Sequence, residues 1–407
     1  MAAHIDNRVF DVLRAWTGLS FLPNTVETIL SATPSRLGGA GVPTISPILD
    51  AAFADSRDRA LRAVRYHPVD GPSPVTQSVA SDAIHDANVI RLSADPSVRF
   101  HLKETSKKHA SRWLSAHSFH FPKALYAAWF RRRVLGRHPA EPDRLKCGCG
   151  RVLPNKDFSA HVVGCASRPG NNSNKKHNAV VDLLAEFCKR AGVVHEPEPR
   201  GFQRYKCYIC NKTVERADLK SHKKVCRADL IRSGPDLRAV VCEDEVFYDY
   251  TTLHITSPCH LQDLVNGVSE KKILEKVISK KCDTYRLNFP AESFVVITAF
   301  EHGGMDKPLV DLIRSLADRA KVEASKWLDE FAVLLAMYNA DALQTAYRQS
   351  SFSFSLNSFN NNSSPSFPPS NTPALPRSDG HHPTRTPISP LECQNPPNKK
   401  SKEESAC

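Results

Sequence analysis

The sequence predicts a mixed α/β core with helices on its faces, after a helical N-terminal region and two short Cys/His-rich segments. Three observations lead there. Between residues 177 and 348 the residue patterns run helix, strand, strand, helix, strand and two helices, an order that gives a sheet flanked by helices. Residues 147–165 and 207–226 are rich in Cys and His and poor in large apolar side chains, so each needs something other than a core to hold it. From about residue 350 the chain turns Ser/Asn/Pro-rich; residues 350–407 are expected to be a disordered tail, because they bury too little to fold.

Residues 1–140 read as mostly helical, with apolar residues at helical spacing and basic residues between them in RDRALRAV, SKKHASRWL and ALYAAWFRRRVLG. Pro34, Gly38, Gly39, Gly41 and Pro43 punctuate a turn region. HNAVVDLLAEFCKRA (177–191) forms an amphipathic helix through Val180, Leu183, Leu184, Phe187 and Ala191, and Gly192 stands where the helix should stop. LRAVVC (237–242) and EVFYDYTTLHI (245–255) are strands, the second rich in β-branched and aromatic residues. Residues 268–284 read as a helix, ESFVVITAF (292–300) as a buried strand, and 308–348 as two helices.

Composition narrows the partners. The chain has 407 residues, enough for two or three domains, and 41% of them are hydrophobic, enough for a core. Its net charge of +12 favours an acidic polymer, nucleic acid first, because phosphate contacts supply most non-specific affinity. A solvated basic face is the alternative. No run of about 18 apolar residues occurs, so no membrane partner is expected. The N-terminus, MAAHIDNRVFDVLRAW, carries acids and is not a secretory signal. The 12 cysteines are then read in a reducing compartment, as metal ligands rather than disulfides.

The two Cys/His segments repeat one spacing. Cys147-x-Cys149 is followed after eleven residues by His161-x-x-x-Cys165, and Cys207-x-x-Cys210 after eleven by His222-x-x-x-Cys226. A tight Cys pair on a turn supplies two ligands, and a His and Cys four apart on one helix face supply two more, which suits tetrahedral Zn²⁺. One or two structural zinc ions are expected. Arg216, Lys220, Lys223 and Lys224 within the second segment tilt it toward nucleic acid; a clip that only braces the fold is the alternative.

Pro235-Asp236 precedes the first strand, and Asp249 lies thirteen residues on, inside the second. A hairpin of this size can bring both carboxylates to one end of a sheet, as an oxygen site for Mg²⁺ that activates a water at a phosphodiester; a nearby Lys could orient that water or neutralise charge. Alone, Asp236 reads equally as a turn residue and Asp249 as an exposed strand acid. Glu186, Glu196 and Glu198 are candidates for a third acid, or surface acids.

The order of these motifs resembles the C-terminal region of site-specific non-LTR retrotransposon proteins: Cys147, Cys149, His161 and Cys165, then Lys176-His177-Asn178, Pro235-Asp236, Asp249-Tyr250-Thr251 and Lys281-Cys282-Asp283-Thr284-Tyr285. The last differs from the family's Lys-x-x-Lys-Tyr by Thr at the second Lys, and Lys280 is a possible substitute for Lys281. SRLGGAGVPTISPILDAAFADS (35–56), ASRWL (110–114) and the closing helices extend the resemblance over about residues 30–348.

The resemblance implies a restriction-endonuclease-like domain over 175–348, with the second zinc segment (207–226) inserted, after a post-polymerase linker region (1–140) and the first zinc segment. It implies Mg²⁺-dependent nicking of target DNA for target-primed reverse transcription, with Asp236, Asp249 and Lys281 catalytic and Lys176 and His177 near the nucleic acid. No Asp-Asp pair occurs in the chain, so the polymerase signature is missing and a polymerase in trans is a possible partner. DNA and the element's RNA are the expected partners, in the nucleus, with NKKSKEE a weak basic cluster for import. The alternative is a zinc-dependent nucleic-acid-binding remnant without catalysis.

Overall fold

The computed structural model describes residues 2–63, 76–116, 119–136, 143–165, 172–199, 204–207, 210, 213–214, 218, 221–222, 226, 230–241, 244–255, 257–285 and 293–360. The fold is mixed α/β. The N-terminal helices are α1 (Ala2–Thr17), α2 (Val26–Ala32), α3 (Leu49–Ala63), α4 (Gln77–Leu92), α5 (Pro96–Thr105), α6 (Arg112–Ser115) and α7 (Lys123–Arg133). Local chemistry starts several of them. Thr25, Thr76 and Asp95 each accept hydrogen bonds from first-turn N–H groups, and Pro96 fills the first position of α5, where no N–H is needed.

The predicted turn region is pinned to these helices. Gly38 holds φ +97°, and a Cβ there would come within 2.7 Å of the Leu102 carbonyl. The buried Arg133 guanidinium donates to the Gly39 carbonyl at 2.9 Å and to Ser111 Oγ at 2.7 Å.

A short antiparallel hairpin follows, β1 (Arg144–Lys146) with β2 (Val152–Pro154), leading directly into α8 (Asn155–Gly164). Then comes α9 (Asn172–Arg190), ended by Gly192 at φ +64° as expected. Between β3 and β7 the chain adds β4 (Arg204–Cys207), β5 (Thr213–Val214) and β6 (Leu230–Ser233), in the order β5-β4-β6.

The central sheet has the order β3-β7-β8-β9, from β3 (His195–Pro197), β7 (Leu237–Val241), β8 (Asp244–Leu253) and β9 (Phe294–Phe300). β3–β7 and β7–β8 pair antiparallel; β8–β9 pair parallel. The parallel step needs a crossover, which α10 (Pro258–Val265) and α11 (Glu270–Tyr285) provide. The chain closes with α12 (Lys307–Arg319), capped by Asp306 with Pro308 in its first turn, and the long α13 (Ala324–Asn360).

Alternation along the strands sorts side chains to two faces. Leu237, Ala239, Tyr248, Tyr250, Ile297 and Ala299 pack against α9, α12 and α13, where Phe187 stacks on Trp327. On the other face Leu253 and Phe300 meet Leu264 of α10 and Ile273 of α11, and Phe247 meets Tyr285. A further core unites the N-terminal helices, the β1–β2/α8 segment and α13, through Trp113, Trp129, Leu145, Phe158, Val162 and Leu343. Described side chains of the N-terminal helices and of the β1–β2/α8 segment thus share a core with the closing helix. The expected tail is corrected at its start: α13 runs to Asn360, so 350–360 are helical. Residues 361–407 lie outside the described residues.

Candidate functional site

Asp236 sits just before β7 and extends its ladder. Its N–H donates to the Tyr248 carbonyl at 2.9 Å, and its own carbonyl accepts from the Glu198 N–H at 2.7 Å. The carboxylate is then committed on both sides: Oδ2 accepts from the Tyr250 N–H at 2.6 Å, and Oδ1 faces His177 Nε2 at 2.9 Å. His177 stands near the start of α9, half-buried. Burial lowers its pKa, but the Asp236 hydrogen bond and charge outweigh burial, and the net shift is upward.

Asp249 lies in β8 in register with Val296 of β9. Its position puts it on the face opposite Tyr248 and Tyr250, under α11, and it is 3% exposed. Lys281 of α11 reaches down with Nζ 2.6 Å from Asp249 Oδ2 and donates to the Tyr250 carbonyl at 3.4 Å. Burial pushes the Asp249 carboxyl up to about 7; Lys281 opposes the rise and the neighbouring Asp236 adds to it. Two carboxylates, a lysine and a histidine from four separate segments therefore converge at the start of β7 and the middle of β8. Such a group keeps an ammonium and an imidazole beside two carboxylates.

Lys176 departs from expectation. Expected at nucleic acid, it is 5% exposed and directs Nζ to Asn339 Oδ1 of α13 at 3.1 Å, with His254 Nε2 at 3.5 Å. A side chain enclosed this way contacts protein rather than a phosphate. The candidate third acids also turn elsewhere: Glu186 to Lys189 and Glu196 to Arg238, while Glu198 contributes the backbone hydrogen bond already given. Sequence reading missed the neighbouring Arg132–Glu301 pair, at 2.9 Å and all but sealed from solvent, and Asn339, which donates to the Glu301 carbonyl at 2.8 Å. No local pattern marks either.

The two Cys/His groups are assembled as their spacing suggests. Cys147 and Cys149 lie within the β1–β2 turn, where Gly150 takes φ +91° and its N–H donates to the Cys147 carbonyl. His161 lies in α8 and Cys165 is its C-cap. The four ligand atoms lie within 4.8 Å of one another. Sulfurs about 2.3 Å from a tetrahedral zinc stand roughly 3.8 Å apart, and Cys147 and Cys165 Sγ are 3.8 Å apart; a disulfide would be about 2.05 Å. Cys149 Sγ is 3.2 Å from His161 Nε2. In the second group Cys210, His222 and Cys226 converge likewise, with Cys210 Sγ 3.6 Å from His222 Nε2. Both groups can hold a metal ion such as zinc. The Cys207 backbone ends β4, but its side chain, with Arg216, Lys220, Lys223 and Lys224, lies outside the described residues.

Comparison with protein-family models and with curated proteins finds no match to this chain.

Proposed function

We propose that this chain is a DNA endonuclease of the kind carried by non-LTR retrotransposon proteins, with a restriction-endonuclease-like core that nicks DNA with Mg²⁺. The observation that carries this reading is the convergence of Asp236, Asp249 and Lys281, distant in sequence, around one buried carboxylate. The order of motifs that resembles that family adds to it.

Asp236 and Asp249 are the residues that would hold Mg²⁺, which when bound supplies an acidified water and charge neutralisation at the scissile phosphate. The chain's own groups do the rest. The Tyr250 N–H and His177 hold the Asp236 carboxylate in one orientation. Lys281, anchored on Asp249 and the Tyr250 carbonyl, keeps an ammonium at the site that can steady the developing charge on phosphorus oxygens. Zinc in the Cys147/Cys149/His161/Cys165 group, and in Cys207/Cys210/His222/Cys226, would be structural. Working on DNA, and on the element's RNA as a second partner, implies a nuclear location.

The test is nicking of supercoiled plasmid by the purified zinc-loaded protein in Mg²⁺. Wild type should open the plasmid and Asp249→Ala should not; equal nicking by the two sinks the proposal. Thr284 at the family's second Lys position favours the other reading, a nucleic-acid-binding remnant. That reading is the outcome if wild type binds DNA in a salt-dependent way yet leaves it uncut.

A further inference from the structure

Lys281 has a companion on α11. Tyr285 lies one turn further along, on the same side of the helix, and is 8% exposed. Its ring packs against Phe294 of β9 at 4.8 Å between centroids and against Phe247 of β8. Its hydroxyl donates to the Gly234 carbonyl at 3.0 Å. Gly234 is the residue before buried Pro235 and Asp236. Glycine restricts its backbone least of all residues. Pro235 offers no N–H to the ladder and has its own φ locked near −65°. A rotation of the Gly234 carbonyl is therefore passed through a stiff proline to Asp236.

We infer that Tyr285 is a positioning residue for the proposed metal site: its hydroxyl fixes the Gly234 carbonyl and, through Pro235, the Asp236 carboxylate opposite Asp249. One helix then sets both acids, with Lys281 meeting Asp249 directly and Tyr285 holding the loop that carries Asp236. The tie costs α11 nothing in packing, since the ring is seated on Phe247 and Phe294 whether or not the hydroxyl is present. Tyr285→Phe should leave the fold in place and loosen only the approach to Asp236.

This inference rests on the Asp236/Asp249 pair binding a divalent cation, and the experiment separates it from cleavage. Mn²⁺ binding to zinc-loaded wild type and Tyr285→Phe is measured by calorimetry, beside thermal unfolding without added divalent ion and plasmid nicking across a Mg²⁺ series. The expected result is Mn²⁺ affinity weaker by about fivefold in Tyr285→Phe, the size an ordinary lost hydrogen bond gives. The Mg²⁺ concentration for half-maximal nicking should rise by the same factor, with the rate at saturating Mg²⁺ largely kept. Equal Mn²⁺ affinity in the two proteins overturns the positioning role, and so does a lower unfolding temperature with affinity unchanged, which would make the hydroxyl a folding contact. Weaker Mn²⁺ binding in the variant with no nicking by either protein overturns the nuclease reading and leaves the positioning role standing. No Mn²⁺ binding by wild type overturns both.

Discussion

Asp249→Asn should stabilise the Mg²⁺-free protein at neutral and higher pH while abolishing nicking. The Asp249 side chain is 4% exposed, and burial, with Asp236 adding and Lys281 opposing, raises its carboxyl from 3.8 to about 7. Between those two values the folded chain keeps a proton that the unfolded chain has released. Stability therefore falls as pH rises through the window and levels off above it. One pH unit is worth about 1.4 kcal/mol for a single group, less near the folded pKa, so wild type loses about 2 kcal/mol between pH 5 and pH 7 on account of Asp249. Attraction to Lys281 is already included in that shift. Asparagine has no proton to lose and escapes the loss.

The measurement is urea unfolding of both zinc-loaded proteins at pH 5, 6, 7 and 8 without added Mg²⁺. Other titrating groups are common to both chains, so the difference between them isolates position 249. It should move by about 2 kcal/mol in favour of asparagine from pH 5 to pH 7 and then level off. Mg²⁺ should afterwards stabilise wild type, by about 2.7 kcal/mol at a hundred times its dissociation constant, and leave the variant unchanged. A difference that does not vary with pH, or that moves against asparagine, would refute the picture of a carboxylate buried at a cost.

Other consequences can be tested in parallel. Elemental analysis of the purified protein should find zinc, and chelation should lower the unfolding temperature sharply, because Cys147, Phe158 and Val162 share a core with the N-terminal helices and α13. Arg132→Met leaves the Glu301 carboxylate charged and enclosed, since their side chains are 3% and 0% exposed; a loss of about 3–5 kcal/mol in urea unfolding is expected. Changing Arg216, Lys220, Lys223 and Lys224 together to Gln should weaken DNA binding and reduce the slope of log affinity against log salt by up to about 4, if each meets a phosphate; an unchanged slope would make the second zinc segment a brace.

What was legible in the sequence was what is encoded locally. Leu237–Val241, Asp244–Leu253 and Phe294–Phe300 announce themselves by β-branched and aromatic runs, and α9 by its apolar spacing. His195–Pro197 does not. Three residues with Pro197 among them carry no alternation, and the strand exists because β7 supplies its partner; proline is tolerated there on an edge strand. The extension of α13 into Ser/Asn-rich sequence has a local reason instead. Serine and asparagine cost a helix only a few tenths of a kcal/mol each, so composition alone did not forbid the continuation. Lys176 was misjudged for a tertiary reason: a lysine at a helix start reads as surface unless Asn339, far along the chain, is known to cover it.

The same distinction separates the two kinds of site. Zinc ligands must come from a hairpin and the helix beside it, so their spacing is written in about twenty residues, and Cys147 to Cys165 can be recognised without knowing the fold. The carboxylate site draws His177, Asp236, Asp249 and Lys281 from α9, the β7 approach, β8 and α11, and no window of sequence holds more than two of them. What marks it in three dimensions is a conflict. A strand selected only for stability would place an apolar residue at 249, between Tyr248 and Tyr250 and beneath α11. Here it carries a carboxylate whose burial raises its pKa by about three units, next to a second carboxylate that aggravates the strain. A lysine and a histidine offset part of that cost and a divalent cation would offset more, so a residue that weakens the fold on its own has much to gain from a bound metal.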